Sequence, residues 1–403
     1  MARQLFTNAV VFDGTGTPPA PGEVLVEDGR ILDVGSGLDG DEHVDLGGRT
    51  LLPGLFDTHV HVVISHVDEW TLLHEPFSLQ FYEAAHNLKA TLGTGITSIR
   101  DGGGADLGIK EAVARGMIAG PRMQISVIML SQTGGHGDGW LASGTDTKLF
   151  MPHPGRPSGV VDGPEEVRRK VRELFRAGAD VIKVATSGGV LSPRDDPTHA
   201  HFTLPELQML VAEAASAGKW VMAHAQATDG IKNAIRAGIR SIEHGIYLDD
   251  EAIEMMLEHG TYLVPTLVAP SGVLRAAEAG APIPPVVLDK AEMVVEVHRD
   301  SFRRAVTAGV KVAMGTDSGV TPHGENLREL ELMAEGGMAP AEVLRATTAV
   351  AAELMGVDVD LGTIEPGKIA DLVVLEGDPY AFGGYRDRIR AVYQGGVLVS
   401  GGV

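Results

Sequence analysis

Residues 173–186 read ELFRAGADVIKVAT, a helical pattern that stops at Gly178 and gives way at once to an apolar strand with a lysine, Lys183, in its middle. Glycine ends a helix where the chain must turn through a left-handed conformation, so the stretch predicts helix, stop, strand. The same unit recurs in EAASAGKWVMAHA at Gly218, NAIRAGIRSIEHG at Gly238, MMLEHGTYLVPTL at Gly260 and RAVTAGVKVAMGTDSG at Gly309. A helix start is equally clear at Thr203, where Glu206 three residues on completes a capping box. Upstream, GLFDTHVH, GITSIRDGG and MQISVIML bring the strand-like segments to eight, alternating with helices. Such alternation demands parallel strands, and the expected fold is α/β, a TIM (β/α)8 barrel. The longest connections follow strands one, three, four and seven, and in a barrel they would form the pocket at the C-terminal face.

Outside this core the rhythm changes. LFTNAVVFDG, GEVLVEDGRILDVGSG with a hairpin at Asp28-Gly29, and HVDLGGRTLLPG read as strands with turn punctuation, as do GTIEPGKIADLVVLEGDP and IRAVYQGGVLVSGG near the other end. The two ends are expected to build one small β-sandwich domain from residues 1–53 and 359–403, flanking a barrel domain over 54–358.

The 403-residue chain carries 54 acidic against 33 basic residues, a formal charge of -21, which disfavours nucleic acid and anionic membrane surfaces as partners. Cysteine is absent, so disulfides, thiol nucleophiles and thiolate metal sites are excluded. No run reads as a signal peptide or as a membrane span, and a cytoplasmic location is expected. A homo-oligomer is the expected assembly, although no residue in the chain specifies one.

Polar residues cluster where the predicted strands run into their following loops: His59 and His61, Lys183, His224, His244 and Asp317. Alternate strand residues project the same way, so His59 and His61 would point together. Singly, each has a bland reading as a hydrogen-bonded core or turn residue. Lys183 does not, because an ammonium among valines and isoleucine is costly unless it is paired, deprotonated or chemically converted. One shared cause for all six is a metal site of nitrogen and oxygen ligands, which suits Zn²⁺ first and Co²⁺ or Mn²⁺ as alternatives.

These residues resemble the amidohydrolase superfamily in its binuclear branch, with HxH, a strand-four lysine, two later histidines and a strand-eight aspartate. Within it, VIKVATSGGVLSP, HAQATDGIKNAIRAGIRSIEHG and GTDSGVTPHGENLRELELM are similar to prolidase-like (Xaa-Pro) dipeptidases and carboxypeptidases, with imidazolonepropionase-related enzymes further off. The resemblance implies two divalent ions, bridged by Lys183 after its N-carboxylation by CO₂, which would turn the unwanted cation into a carboxylate. It also implies a small-molecule amide or dipeptide substrate, cleaved at its C–N bond by a metal-activated water, with Asp317 moving the proton. His136, in the loop after strand three, would approach the substrate carbonyl. His323 is expected to line the pocket, and Arg194 is a candidate partner for a substrate carboxylate, with a solvated charge as the commoner reading of such an arginine. Gln226 stands where some such peptidases carry a substrate-reading tyrosine. His199 and His201 are expected at the surface. The alternatives are hydrolysis of N-acyl amino acids, carbamates or aryl amides, mycotoxin amides included, a cyclic amidohydrolase, and more remotely a non-catalytic barrel scaffold.

Overall fold

The computed structural model describes residues 3–192 and 194–402. Strands β1 (Gln4–Val11), β2 (Ala20–Glu27) and β3 (Arg30–Gly35) form an antiparallel meander. Its hairpin turns at Asp28 and Gly29, with φ of 50° and 78°, the two left-handed residues that a tight turn between twisted strands requires. Next, β4 (Glu42–Asp45) and β5 (Thr50–Pro53) lie parallel to successive halves of β1.

The alternating region then runs β6 (Leu55–Val60), α1 (Glu69–His74), α2 (Leu79–Leu92), β7 (Ile96–Asp101), α3 (Leu107–Ala114), β8 (Arg122–Ile125), β9 (Met129–Leu130), α4 (Pro164–Arg176) and β10 (Ile182–Ala185). It continues through α5 (Leu204–Ser216), β11 (Val221–Ala225), α6 (Thr228–Ala237), β12 (Ser241–His244), α7 (Asp250–His259), β13 (Tyr262–Val264), α8 (Val268–Glu278) and α9 (Pro285–Ala308). Helices α10 (Arg328–Glu335), α11 (Pro340–Ala346) and α12 (Ala349–Met355) precede β14 (Leu372–Leu375), β15 (Ile389–Gln394) and β16 (Val397–Gly401).

The stop signals read from sequence are real: Gly178, Gly218, Gly238, Gly260 and Gly309 all have φ between 65° and 96°. The capping box also forms, the Thr203 N–H donating to Glu206 Oε2 at 2.7 Å.

Strand pairing differs from the expectation of one eight-stranded sheet. The alternating strands form two parallel sheets, β6-β7-β8 and β13-β12-β11-β10-β9. The segment expected as strand three splits into β8 and β9 around Val127, whose φ is 70° and whose carbonyl turns aside to accept from the Gly104 N–H at 3.0 Å. The segment expected as strand eight, near residues 311–318, makes single bridges instead of a ladder. Its Lys311 and Met314 carbonyls accept from Leu263 and Thr58, at 2.8 and 2.9 Å, so it touches both β13 and β6. Side chains intercept the remaining groups: the Asp57 carboxylate accepts from the Thr316 N–H at 3.1 Å, and the Thr58 hydroxyl donates to the Met314 carbonyl at 2.8 Å.

The chain ends meet as expected, but in one continuous sheet, not two. Its order is β16-β15-β14-β5-β1-β2-β3, with β4 beside β1. Phe6 on β1 and Tyr393 on β15 have two strands, β5 and β14, between them in that order, yet their rings meet edge to face at 5.0 Å. The sheet therefore curls over its own core of Val24, Val26, Ile31, Leu46, Leu51, Leu372 and Val374. A larger core, including Val60, Ile99, Ile125, Val184, Ala223, Ile242 and Leu263, lies under the helices. No helix among the described residues is long and apolar enough to cross a membrane.

Candidate metal centre

His59 and His61 do project to one side. Their Nε2 atoms converge on a single atom, Asp317 Oδ1, at 3.5 and 3.2 Å. Lys183, from the middle of β10, brings its Nζ to 3.1 Å from His59 Nε2. His244 ends β12, its ring 5.2 Å from that of His59 and 4.6 Å from that of His224 on β11. One ligand atom each from His59, His244 and Asp317 lies within 4.8 Å of the others, the only such cluster among the described residues. The six residues scattered over the sequence are thus neighbours, carried by the C-terminal ends of β6, β10, β11, β12 and the 311–318 segment.

The donor set fits a divalent cation. Each of the four histidines turns one ring nitrogen to a protein oxygen: His61 Nδ1 to the Gly103 carbonyl at 2.9 Å, His224 Nε2 to the Gly188 carbonyl at 3.1 Å, His244 Nδ1 to the Thr266 hydroxyl at 2.7 Å, and His59 Nδ1 to Glu243 Oε2 at 2.9 Å. That leaves the second nitrogen of each ring for an ion; hydrogen bonds orient His61, His224 and His244, while His59 Nδ1 lies at ion-pair distance from Glu243 without hydrogen-bond geometry. Burial, reinforced by neighbouring cationic groups, pushes His59, His224 and His244 well below the usual histidine range, so they are neutral as ligands must be. Burial opposes charge on His61, but Asp317 outweighs it and raises that group. Burial likewise works against an ionised Asp317, and His59 and His61 overcome it to hold the carboxyl low. Lys183 is 1% exposed, and burial pushes its amine down to about 8. His244 and Asp317 both take positive φ, 72° and 61°, a strained conformation for non-glycine residues that is tolerated where a site needs the side chain aimed.

Several supporting residues escaped the sequence reading. Glu243, fully buried, holds His59 in place and is itself gripped by the guanidinium of Arg100 at 2.9 and 3.2 Å and by the Ser241 hydroxyl. Asp57, also fully buried, accepts from the Thr316 and Ser318-linked turn that carries Asp317, with Thr316 Oγ1 at 2.6 Å and Asn326 Nδ2 at 2.8 Å. Asp101 accepts from Val62, Gly103 and Ala105 N–H groups and so ties the first two βα loops together. The signal was available: a charged residue inside an apolar parallel strand, as in SIRDGG and SIEHG, is as anomalous as Lys183.

The expected substrate residues divide. His136 stacks on His224 with ring centroids 4.2 Å apart, at the edge of the cluster. Gln226 is buried at the end of the same strand direction as His224, and its Oε1 finds no partner among the described residues. Arg194 is exposed, its guanidinium 5.4 Å from the Trp140 ring centroid in the loop after β9. His323 turns both ring nitrogens to protein atoms, Nε2 to the His61 carbonyl at 3.2 Å and Nδ1 to Thr91 Oγ1 at 3.4 Å, so it props the first loop. His201, expected at the surface, is only 7% exposed because its main chain pairs with Thr186 under loop four, whereas His199 is exposed. Gly189 packs closely on His136, where a Cβ would lie 2.3 Å from His136 Cε1.

Residues 50–399 match the model of the amidohydrolase family. The chain belongs to the amidohydrolase family. This amidohydrolase is 34% identical to ochratoxinase from Aspergillus niger over 396 residues, 92% of its own length and 80% of the relative's. It superposes on a solved Xaa-Pro dipeptidase with bound methionine at a TM-score of 0.91, 33% identity and 99% and 100% coverage of the two chains. A prolidase complexed with N-methylphosphonate-L-proline gives 0.89, with 35% identity over 98% and 99% of the chains. The amidohydrolase is therefore a hydrolytic enzyme acting on C–N bonds, with an α/β fold that its solved neighbours share.

Proposed function

We propose that this enzyme is a dipeptidase or carboxypeptidase of the Xaa-Pro type, working on a binuclear centre held by His59, His61, Lys183 as its carbamate, His224, His244 and Asp317. The observation that carries the reading is the convergence of those side chains at the strand ends of a chain that matches an Xaa-Pro dipeptidase along its full length. The reading includes closure of the two parallel sheets into one barrel through the bridges of the 311–318 segment, and the partition into residues 1–53 plus 359–403 and 54–358. Zn²⁺ is the expected ion, with Co²⁺ and Mn²⁺ as alternatives.

When bound, two such ions would supply an acidified water and a Lewis acid for the substrate carbonyl. The chain's own residues do the rest. Asp317, ionised and within reach of both His59 and His61, accepts the proton released at the centre and returns it to the leaving nitrogen, as general base and then general acid. His136, stacked on His224, orients the carbonyl. The unpartnered Oε1 of Gln226 accepts from a substrate N–H, and Arg194 at the mouth meets a carboxylate.

The likeness to ochratoxinase favours a second reading, in which the same centre cleaves N-acyl amino acids or aryl amides, mycotoxin amides included. Metal-loaded enzyme offered Xaa-Pro and Xaa-Arg dipeptides beside N-acyl amino acids and aryl amides decides between them. Turnover of the dipeptides is the expected result. If only the non-peptide amides are cleaved, the dipeptidase reading fails and the second stands.

A further inference from the structure

Loop four, described over residues 187–192 and 194–203, lies between the candidate metal centre and α9, and a single ammonium pins it there. Lys290 on α9 has a side chain only 12% exposed. Its Nζ donates to the carbonyls of Gly189 at 3.1 Å, Ser192 at 2.8 Å and Asp195, and lies 3.3 Å from Asp195 Oδ1. A lysine that exchanges its hydration for three carbonyls of one loop fixes that loop's shape, since loss of any partner leaves a buried donor unsatisfied.

Asp195 carries the connection to the site. Its side chain is 2% exposed, and its Oδ2 accepts from the Gly189 N–H at 3.1 Å and from His136 Nδ1 at 2.7 Å. Burial alone would raise the Asp195 carboxyl, but His136 and Lys290 outweigh it and keep the group below its ordinary range. An ionised carboxylate only accepts, so the imidazole proton sits on Nδ1. The His136 ring has no freedom to turn away: His224 covers one face at 4.2 Å and 16° between planes, and the bare Cα of Gly189 lies against its edge, where a Cβ would fall 2.3 Å from Cε1 and 2.8 Å from either nitrogen.

We propose that Asp195 and Lys290 are positioning residues for the reaction: Lys290 anchors loop four to α9, and Asp195 fixes the orientation and the Nδ1 proton of His136, so that Nε2 faces the substrate. The proposal rests on the reading of His136 as the residue that orients the carbonyl. Both act through His136, the ring that stacks on His224, Asp195 directly and Lys290 by way of Asp195.

Two measurements test it. The first needs no substrate. In metal-loaded protein with ¹⁵N-labelled histidine, the His136 resonances, assigned by their loss in His136→Gln, should report a protonated Nδ1, and Asp195→Asn should move that proton or broaden the signals. Unaltered His136 resonances in Asp195→Asn would overturn the proposal whatever the substrate. The second uses leucyl-proline as the probe. Asp195→Asn and Lys290→Met should each lower kcat by about 10- to 100-fold with KM within about threefold and metal content unchanged, the size expected for a residue that orients a functional group. In a His136→Ala background the further loss from Asp195→Asn should vanish. Additive losses, or losses that follow metal content, would show a general structural role and refute the assignment. Parent enzyme that leaves leucyl-proline intact would count against the Xaa-Pro reading alone, with the resonances still deciding the role of Asp195.

Discussion

Lys183 sits in a strand of valines and isoleucine, 1% exposed, with His59 Nε2 at 3.1 Å as its near polar neighbour. Burial lowers its amine to about 8, well under the ordinary 10.5, so a neutral, nucleophilic form is accessible near neutral pH. Reaction with CO₂ would exchange a poorly accommodated cation for a carboxylate beside His59, within the electrostatic reach of His224 and His244. Metal-free protein reconstituted with ¹³C-bicarbonate and Zn²⁺ should therefore show a carbamate carbonyl resonance that Lys183→Ala lacks. Since the amine is half deprotonated at about pH 8, formation at a fixed concentration of dissolved CO₂ should quicken from pH 6 through 8 and level off only about one to two pH units higher. A spectrum without that resonance at any pH would remove the bridging carbamate from the site. At this scale the sequence was informative wherever chemistry contradicts surroundings, as for Lys183. It misplaced His201 at the surface, because residue type gives no hint of whether a loop folds over it.

Helices α8 and α9 form the roof over the C-terminal strand ends, packing Ala269, Val273, Val287, Ala291 and Val294 against Val190 of loop four and Ile246 of the loop after β12. The N-terminus of α8 has no Ser, Thr, Asp or Asn cap at Leu267; instead, Glu329 of α10 reaches across to accept from the Leu267 and Val268 N–H groups, each at 2.8 Å. Removing that acceptor strands two buried donors, so Glu329→Ala should lower unfolding stability by about 2–4 kcal/mol in urea titrations. A variant as stable as the parent would mean that the roof does not depend on this cap. The carboxyl carries a pH signature as well. Burial raises it from 4.5 to about 8 in the fold, so the folded chain keeps a proton that the unfolded chain releases, and its contribution to stability falls as pH rises between those values. Glu329→Gln should flatten that slope.

Across the whole molecule, the curled sheet of the two chain ends is bound to the alternating region by Asp371, 4% exposed, which accepts from Arg122 Nε and Nη2 at 2.9 and 3.1 Å and from the Gly395 N–H at 2.8 Å. The candidate metal centre would be a second cross-chain tie, bringing together segments more than 250 residues apart from His59 to Asp317. An ion that binds only the folded arrangement stabilises it by mass action, by about 2.7 kcal/mol at a hundredfold excess over its Kd. Chelated protein should accordingly melt lower than Zn²⁺-loaded protein, by on the order of 5 °C. His244→Ala should lose most of that difference. Equal melting temperatures with and without metal would argue against a site of this affinity.

The sequence by itself determined what is local. Glycine stops, the Thr203 capping box, the Asp28-Gly29 hairpin and the alternation of helix with parallel strand all follow from backbone preferences within a few residues, and the likeness of HxH, lysine, histidines and aspartate to amidohydrolases follows from side-chain chemistry at fixed positions. Tertiary structure alone decided how the distant pieces close. The break at Val127, the single bridges of residues 311–318 and the curl that brings Phe6 to Tyr393 depend on which buried group reaches which backbone atom. The supports of the site, Glu243 under His59, Asp57 under Asp317, Asp195 beside His136, depend on it too. A chain pattern fixes what each residue can donate or accept, but the partner that buried group must find is set only when the strands and loops are packed.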